Sequence, residues 1–510
     1  MTPAEPEGDD RAPRLAAASA NASRHGVAMP RGQTPMSGAR SGRFGRMFAY
    51  LPARDPGPAA IAALVELTRK VTSEDNLTIA AGYTYLGQFI DHDITFDPTS
   101  QLQRDNEPPA LVNFRSPRFD LDTLYGTGPK DQPFMYEWCC LADRGVKLLL
   151  GHNPVHRELA CDDLPRNEQE RAVIGDPRND ENAIISQLHL LFIRFHNRVV
   201  DWVRCEQPGL EGPELFEEAR RIVRWHYQWI VVHDFLERIV GKPRARSVLQ
   251  PGASGAGPTV QRRFFTWDGE PSIPVEFSGA AFRFGHSMVR QTYLLAHDRP
   301  HAVIFPDLER RQDTPPPEHL GGFRRLRSAL IIDWDLYFFD ETASPPPGAN
   351  FSMKIDSRIS RRLFFVPPDG DSLPLLNLQR GRALGLPAGR DVARAMGEQP
   401  LSARQLRLTR LDECLRRAIL RATPLWYYIL CEAAEEPNNG GHRLGAVGAR
   451  IVAEVLVGLL EADPQSYLRQ WPAWTPELPR ADRQDFTMAD LVCFAEGRPN
   501  SMATDAAGRR

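Results

Sequence analysis

The sequence predicts a mainly α protein: a single large helical domain with little β structure. Several long segments carry apolar residues at helical spacing. Strand-like alternation is scarce, and helical pattern resumes after each proline-rich break. The segment AIISQLHLLFIRFHNRVVDWV (183–203) is apolar on most faces, which predicts a buried helix. LFEEARRIVRWHYQWIVVHDFLERIVG (215–241) keeps helical spacing up to Gly241, a residue suited to closing a helix. DECLRRAILRATPLWYYILCEAAEE reads as helix broken by Pro424. GAVGARIVAEVLVGLLEAD carries Glu454 and Glu461 and reads as a core helix. The breaks at 314–317 and 345–347 read as surface loops. The expected domain is 41–497. It lies between tails 1–40 and 498–510, whose Ala, Gly, Pro, Ser and charge give too little apolar surface to order a chain.

Composition narrows the function class. The net charge of −3, with 25% charged and 42% apolar residues, is an ordinary globular profile. It favours neither nucleic acid nor a charged membrane surface. There is no run of about 18 apolar residues, so no membrane span is expected. The N-terminus is acidic and lacks the apolar core of a signal peptide. Seven scattered cysteines without a C-x-x-C pair suggest reduced thiols. The expectation is therefore a cytoplasmic protein, with non-classical export as the alternative. The chain has no G-x-x-x-x-G-K-[ST] and no H-E-x-x-H.

Four segments carry chemistry. In GQFIDHDITFD (87–97), Asp91, His92 and Asp93 stand among apolar neighbours. Successive helical residues point about 100° apart, so Asp91 and Asp93 diverge with His92 between them. Gln88 precedes Asp91 by three residues and His92 by four, on their face. By itself a D-H-D is a solvated helix end. VIGDPRNDEN (173–182) places Arg178 and Glu181 at i, i+3, on one face; by itself that is a surface ion pair. NFRSPRFDLDTLYGTG (113–128) holds Ser116, Arg118, Asp120 and Asp122 at every second position. In an extended loop these would face one side, and with Asp93 they would form a set of hard oxygen donors suited to calcium. GAAFRFGHSMVRQTYLL (279–295) offers His286 in an apolar stretch, which by itself is a core histidine.

With these motifs in this order, from about residue 42 (GRFGRMFAYLP) to about 496 (FTMADLVCFAEG), the sequence resembles the animal-type haem peroxidase family of the peroxidase–cyclooxygenase superfamily, particularly its compact bacterial members. The resemblance implies haem b and calcium as cofactors. It implies hydrogen peroxide and a small-molecule electron donor, phenolic or halide, as reactants. It places a halide-site glutamine on Gln88, the distal histidine on His92, a calcium ligand on Asp93 and the catalytic arginine on Arg178. Ester links to the haem fall on Asp91 and Glu181, and the iron ligand falls on His286. Asn377, in PLLNLQRGRALGLP, matches the asparagine that accepts a hydrogen bond from that ligand. Arg283 and Arg380 are expected to face haem propionates or Asn377. Arg118 is expected to give calcium only its carbonyl. His196, in FHNR, matches as a structural residue.

The chemistry agrees with this assignment. Cleaving peroxide needs a base that takes a proton and returns it, which a neutral histidine does near pH 7. It also needs a fixed positive charge, which suits an arginine. Asn182 follows Glu181 where members with a third, sulfonium link have methionine, so at most two links are expected.

Three alternatives remain. A fatty-acid oxygenase of this superfamily would need a radical-forming tyrosine three residues before the proximal histidine, where this chain has Arg283. A catalytically idle haem- or calcium-binding protein would have lost His92 or Arg178. A tailoring oxidase with a dedicated substrate would share the same site.

Overall fold

The computed structural model describes residues 42–498 except 70–73, 97–111, 153–161, 253–256, 307–317, 342–343, 367–369, 436–438 and 482–484. The expected tails fall outside these residues apart from Arg498, as does the 314–317 break. The 345–347 break lies in irregular, largely exposed chain, as expected. Helices dominate and strands are two to six residues long, as the scarcity of alternation predicted. One contiguous apolar core joins residues from Phe44 to Val492. Among the described residues no helix is long and apolar enough to cross a membrane.

The centre of the molecule is the helix Ala183–Glu206, buried on most of its faces. It starts at Asn182, whose Oδ1 accepts from Ile184 N at 3.1 Å and Ile185 N at 3.0 Å and so satisfies two otherwise orphaned amides. The next helical segment departs from uniform α spacing. It runs as α-helix over Gly212–Trp229, as a π turn over Ile230–Phe235, and as α-helix again over Leu236–Val240. Asp234, within the π turn, accepts from Tyr83 Oη, Arg238 Nε and Met488 N and so ties three elements together. Gly241 closes the run with φ 86, as its position predicted. Pro424 separates the helices Glu413–Arg421 and Leu425–Glu435. The helix Ala446–Ala462 is core, and its buried Glu454 accepts three backbone amides, from Arg263, Phe264 and Phe265.

Two close backbone approaches position the site. The helix Gly82–Ile94 enters against the Tyr337 carbonyl and the Phe338 ring, which a Cβ on residue 82 would meet at 2.5 and 2.6 Å. Residues 320–323 lie along residues 180–183 through Ala183 N to Leu320 O, Gly322 N to Glu181 O and Phe323 N to Asp180 O, at 2.7 to 3.0 Å. A Cβ on residue 322 would lie 1.8 Å from the Asp180 carbonyl, so this packing requires glycine.

Candidate active site

One cavity of about 470 Å³ gathers eight of the side chains that the sequence singled out for the haem and distal site. Gln88, Asp91 and His92 reach it from the helix Gly82–Ile94. Arg178 and Glu181 reach it from the short 3₁₀ turn Pro177–Asp180 and the residue after it. Arg283 and His286 come from the 3₁₀ segment Ala281–Met288, and Arg380 from the helix Leu373–Ala383. Asp93 diverges from Asp91, as the 100° step requires, and is fully buried.

Each group is held. Asp176, the N-cap of the 3₁₀ turn, accepts from Arg178 N, Nε and Nη2. The same guanidinium donates to His92 O at 3.0 Å and Thr95 O at 2.6 Å. Asp176 Oδ2, which accepts from the Arg178 guanidinium, also accepts from Arg115 Nη2 at 2.6 Å. Burial alone would raise the Asp176 carboxyl, but Arg178 and Arg115 together hold it well below the usual range. His92 Nδ1 lies 2.7 Å from Asn179 Oδ1. Burial and then Arg178 push the His92 pKa down to about 3, so the ring is neutral near pH 7. Glu181 is pushed up to about 8 by burial, and Gln88 Nε2 donates to it. Asp91 is raised by burial against the pull of Arg283 and Arg178. Burial and Arg380 bring Arg283 down to about 9, and its Nε donates to Ser278 O.

His286 is pushed down to about 3 by burial and Arg283, which leaves a neutral ring able to offer a lone pair. The Asn377 amide meets its Nδ1 at 2.8 Å, as expected, but with Nδ2 toward the ring. That arrangement puts the proton on Nε2. A metal at Nε2 requires the reverse, Nδ1–H donating to Oδ1, which a half-turn of the amide provides.

Asp93, Asp120 and Asp122 offer carboxylate oxygens that all lie within 4.8 Å of one another. Asp93 Oδ1 and Asp122 Oδ2 are buried without a hydrogen-bond partner. Burial and mutual repulsion push the Asp93 carboxyl up. Orphaned buried carboxylate oxygens of this kind fit a hard cation. The expected extended loop is not what converges them. Residues 117–120 form a bend, Leu121 is left-handed at φ 58, and Asp122 opens the short helix Asp122–Tyr125. Ser116 Oγ donates to Asp120 Oδ2 at 2.8 Å, and the Arg118 guanidinium is drawn away to Glu270.

Sequence reasoning missed Asn179 and Arg115, whose roles depend on contacts between distant segments, and Asp176, whose place before Pro177 was a local N-cap signal it did not use. It also missed Tyr83 and Tyr85 in the cavity wall. Asn182 caps a helix where the third link would otherwise stand. His196 is structural: Nε2 lies 2.9 Å from Val146 O, and Nδ1 lies 3.0 Å from Tyr125 Oη.

Three histidines, two carboxyls and four arginines line the cavity, a set of side chains that fits an anionic, metal-bearing macrocycle. The family model "Animal haem peroxidase" matches residues 103–410, and the chain belongs to that family. The matched span begins after the segment that carries His92. The chain is 26% identical over 412 residues to thyroid peroxidase of Sus scrofa, covering 63% of this chain and 41% of that protein. It is 28% identical over 335 residues to eosinophil peroxidase of Mus musculus, covering 63% and 43%. It thus spans about two fifths of the length of these relatives. Among solved structures, peroxidase A from Dictyostelium discoideum shares the fold with a TM-score of 0.56 at 17% identity, over 86% of this chain and 90% of that one. A fatty acid alpha-dioxygenase from Arabidopsis thaliana shares it with a TM-score of 0.57 at 17% identity, over 91% and 79%.

Proposed function

We propose that this protein is a haem peroxidase that reduces hydrogen peroxide and oxidises small phenolic donors or halides. The observation that carries this reading is the meeting of His92, Arg178 and His286 in one cavity. His286 would hold the iron through Nε2, Asp91 and Glu181 would lie along the macrocycle within reach of ester links, and Arg283 and Arg380 would meet its carboxylates. Haem, when bound, supplies the two-electron oxidation.

The remaining work falls to side chains. His92 Nε2 accepts a proton from hydrogen peroxide and delivers it to the oxygen that leaves as water. Arg178, fixed by Asp176 and two carbonyls, holds a permanent positive charge where negative charge develops on that oxygen. Because three acceptors orient the guanidinium beforehand, little reorganisation is needed during the reaction. Calcium at Asp93, Asp120 and Asp122, with Ser116 and the Arg118 carbonyl as further donors, would pin the helix that carries His92.

A second reading, fatty-acid oxygenation, draws support from Tyr83 and Tyr85 in the cavity wall. Against it stands Arg283, three residues before His286, which forms no phenoxyl radical. The test is stopped-flow absorption after one equivalent of peroxide, followed by a screen of phenols and halides and by oxygen uptake with linoleate. Donor oxidation that disappears in His92→Ala supports the peroxidase. Linoleate-dependent oxygen uptake giving a single hydroperoxide isomer promotes the oxygenase.

A further inference from the structure

We infer that Asn179, anchored by His189, is a positioning residue that holds His92 in the tautomer with its proton on Nδ1 and with Nε2 bare toward the cavity. The inference rests on the reading of His92 as the proton acceptor from peroxide. It adds the device that makes His92 one.

The geometry is a three-residue relay. Asn179 Oδ1 lies 2.7 Å from His92 Nδ1, and Asn179 Nδ2 lies 3.0 Å from His189 Nδ1. A neutral imidazole carries one proton, and an amide has one accepting end and one donating end. An oxygen facing His92 Nδ1 requires a proton there. The amide nitrogen facing His189 Nδ1 requires a bare lone pair there, and so sends the His189 proton to Nε2. The two rings are coupled through one amide, and neither can change tautomer unless the amide turns over. His92 is 5% exposed, and Asn179 and His189 are fully buried, so solvent offers no competing partners. Among the described residues His92 Nε2 meets no protein hydrogen-bonding group, which leaves it for a ligand in the cavity.

His189 supplies a second, independent observation. Its Nε2 is buried without a hydrogen-bond partner, an unfavourable arrangement on a helix otherwise packed with Leu, Ile and Phe. An aromatic or aliphatic residue would fill that space against the Phe89 ring without the unpaired group. What the histidine adds is Nδ1, a polar partner for the far end of the Asn179 amide. The backbone reinforces the arrangement. Asn179 N donates to Asp176 O at 3.1 Å, so one capped turn presents Arg178 to the cavity and Asn179 to the back of His92.

The test uses haem-loaded protein and two readouts other than turnover. The first is the association rate of cyanide with the ferric protein, because hydrogen cyanide must give a proton to the distal base. The second is the C–O stretching band of the ferrous carbon monoxide complex, which falls in frequency when an N–H rather than a lone pair faces the ligand. Asn179→Leu should slow cyanide association by roughly tenfold or more, up to the ~10²–10⁴-fold attributable to losing the base altogether. It should also shift or split the C–O band to lower frequency. Asn179→Asp keeps an acceptor for Nδ1–H and should restore both readouts, which a merely structural role does not predict. His189→Phe should shift the band in the same direction as Asn179→Leu, and it carries the test if the leucine variant does not fold. His92→Ala is the reference. If it slows cyanide binding while folded Asn179→Leu and His189→Phe match wild type, the relay is wrong and the peroxidase reading stands. If His92→Ala itself binds cyanide normally, the distal assignment falls. Failure of Asn179→Asp to restore either readout also overturns the relay.

Discussion

The acidic cluster permits a quantitative prediction about calcium. Asp93, Asp120 and Asp122 bring ligand oxygens within 4.8 Å of one another. Two unit charges at that distance repel by about 3.5 kcal/mol at an effective dielectric of about 20, so without a cation the buried Asp93 carboxyl is pushed up toward its neutral form, at a cost in stability. Arg115 Nη1, 3.1 Å from Asp122 Oδ1, offsets part of this, but its other nitrogen is committed to Asp176. The metal-free cluster should therefore be a weak point, and cation binding should remove it. At calcium about 100-fold above its Kd, linkage gives about 2.7 kcal/mol of stabilisation. The assay is chemical unfolding at about neutral pH in calcium and in chelator, alongside metal analysis. Wild type should unfold at a clearly higher denaturant midpoint in calcium. Asp93→Asn/Asp120→Asn should lose that difference, yet in chelator be no less stable than wild type, since it has shed the repulsion. A wild-type midpoint indifferent to chelation, or a double variant that still responds to calcium, would refute the reasoning.

Three further outcomes are expected. His286→Ala should lose stable haem or strongly perturb the ferric absorption spectrum; an unchanged Soret band with full activity would remove His286 as ligand. After peroxide treatment, mass spectrometry should find haem on peptides containing Asp91 and Glu181 and on no third peptide; fully extractable haem after many turnovers would count against the links. Buried His189, His196 and His226 have pKa values pushed down by burial to about 3, 4 and 3. Below about pH 6.5 the unfolded chain takes up protons that these rings refuse. Stability should be complete above that pH and fall by about 1.4 kcal/mol per pH unit for each histidine as pH drops toward 4. A urea midpoint that stays flat across this window would contradict the burial argument.

The sequence by itself determined the helices and the chemistry-bearing segments. Helical periodicity marked Ala183–Glu206 as buried, Gly241 and Pro424 as breaks, and Glu454 as lying within a core helix, because spacing and punctuation are local properties of the chain. The 100° step along one helix was enough to separate Asp91 from Asp93 and to join Gln88 to His92. Tertiary structure decided everything that depends on two segments meeting. The calcium-site carboxylates converge through a bend and a left-handed Leu121, where alternation along the sequence had suggested an extended loop. Arg115 braces Asp176, and through it Arg178, from a position that carries no local signal, since an ion pair needs only proximity in space. Asn179 was legible only as the residue after Arg178. Its amide acquires a role because the fold lays the turn 177–180 between His92 and His189, which lie 97 residues apart along the chain. Local sequence determines which face of a helix a side chain occupies, whereas the partner it finds there depends on packing between distant segments.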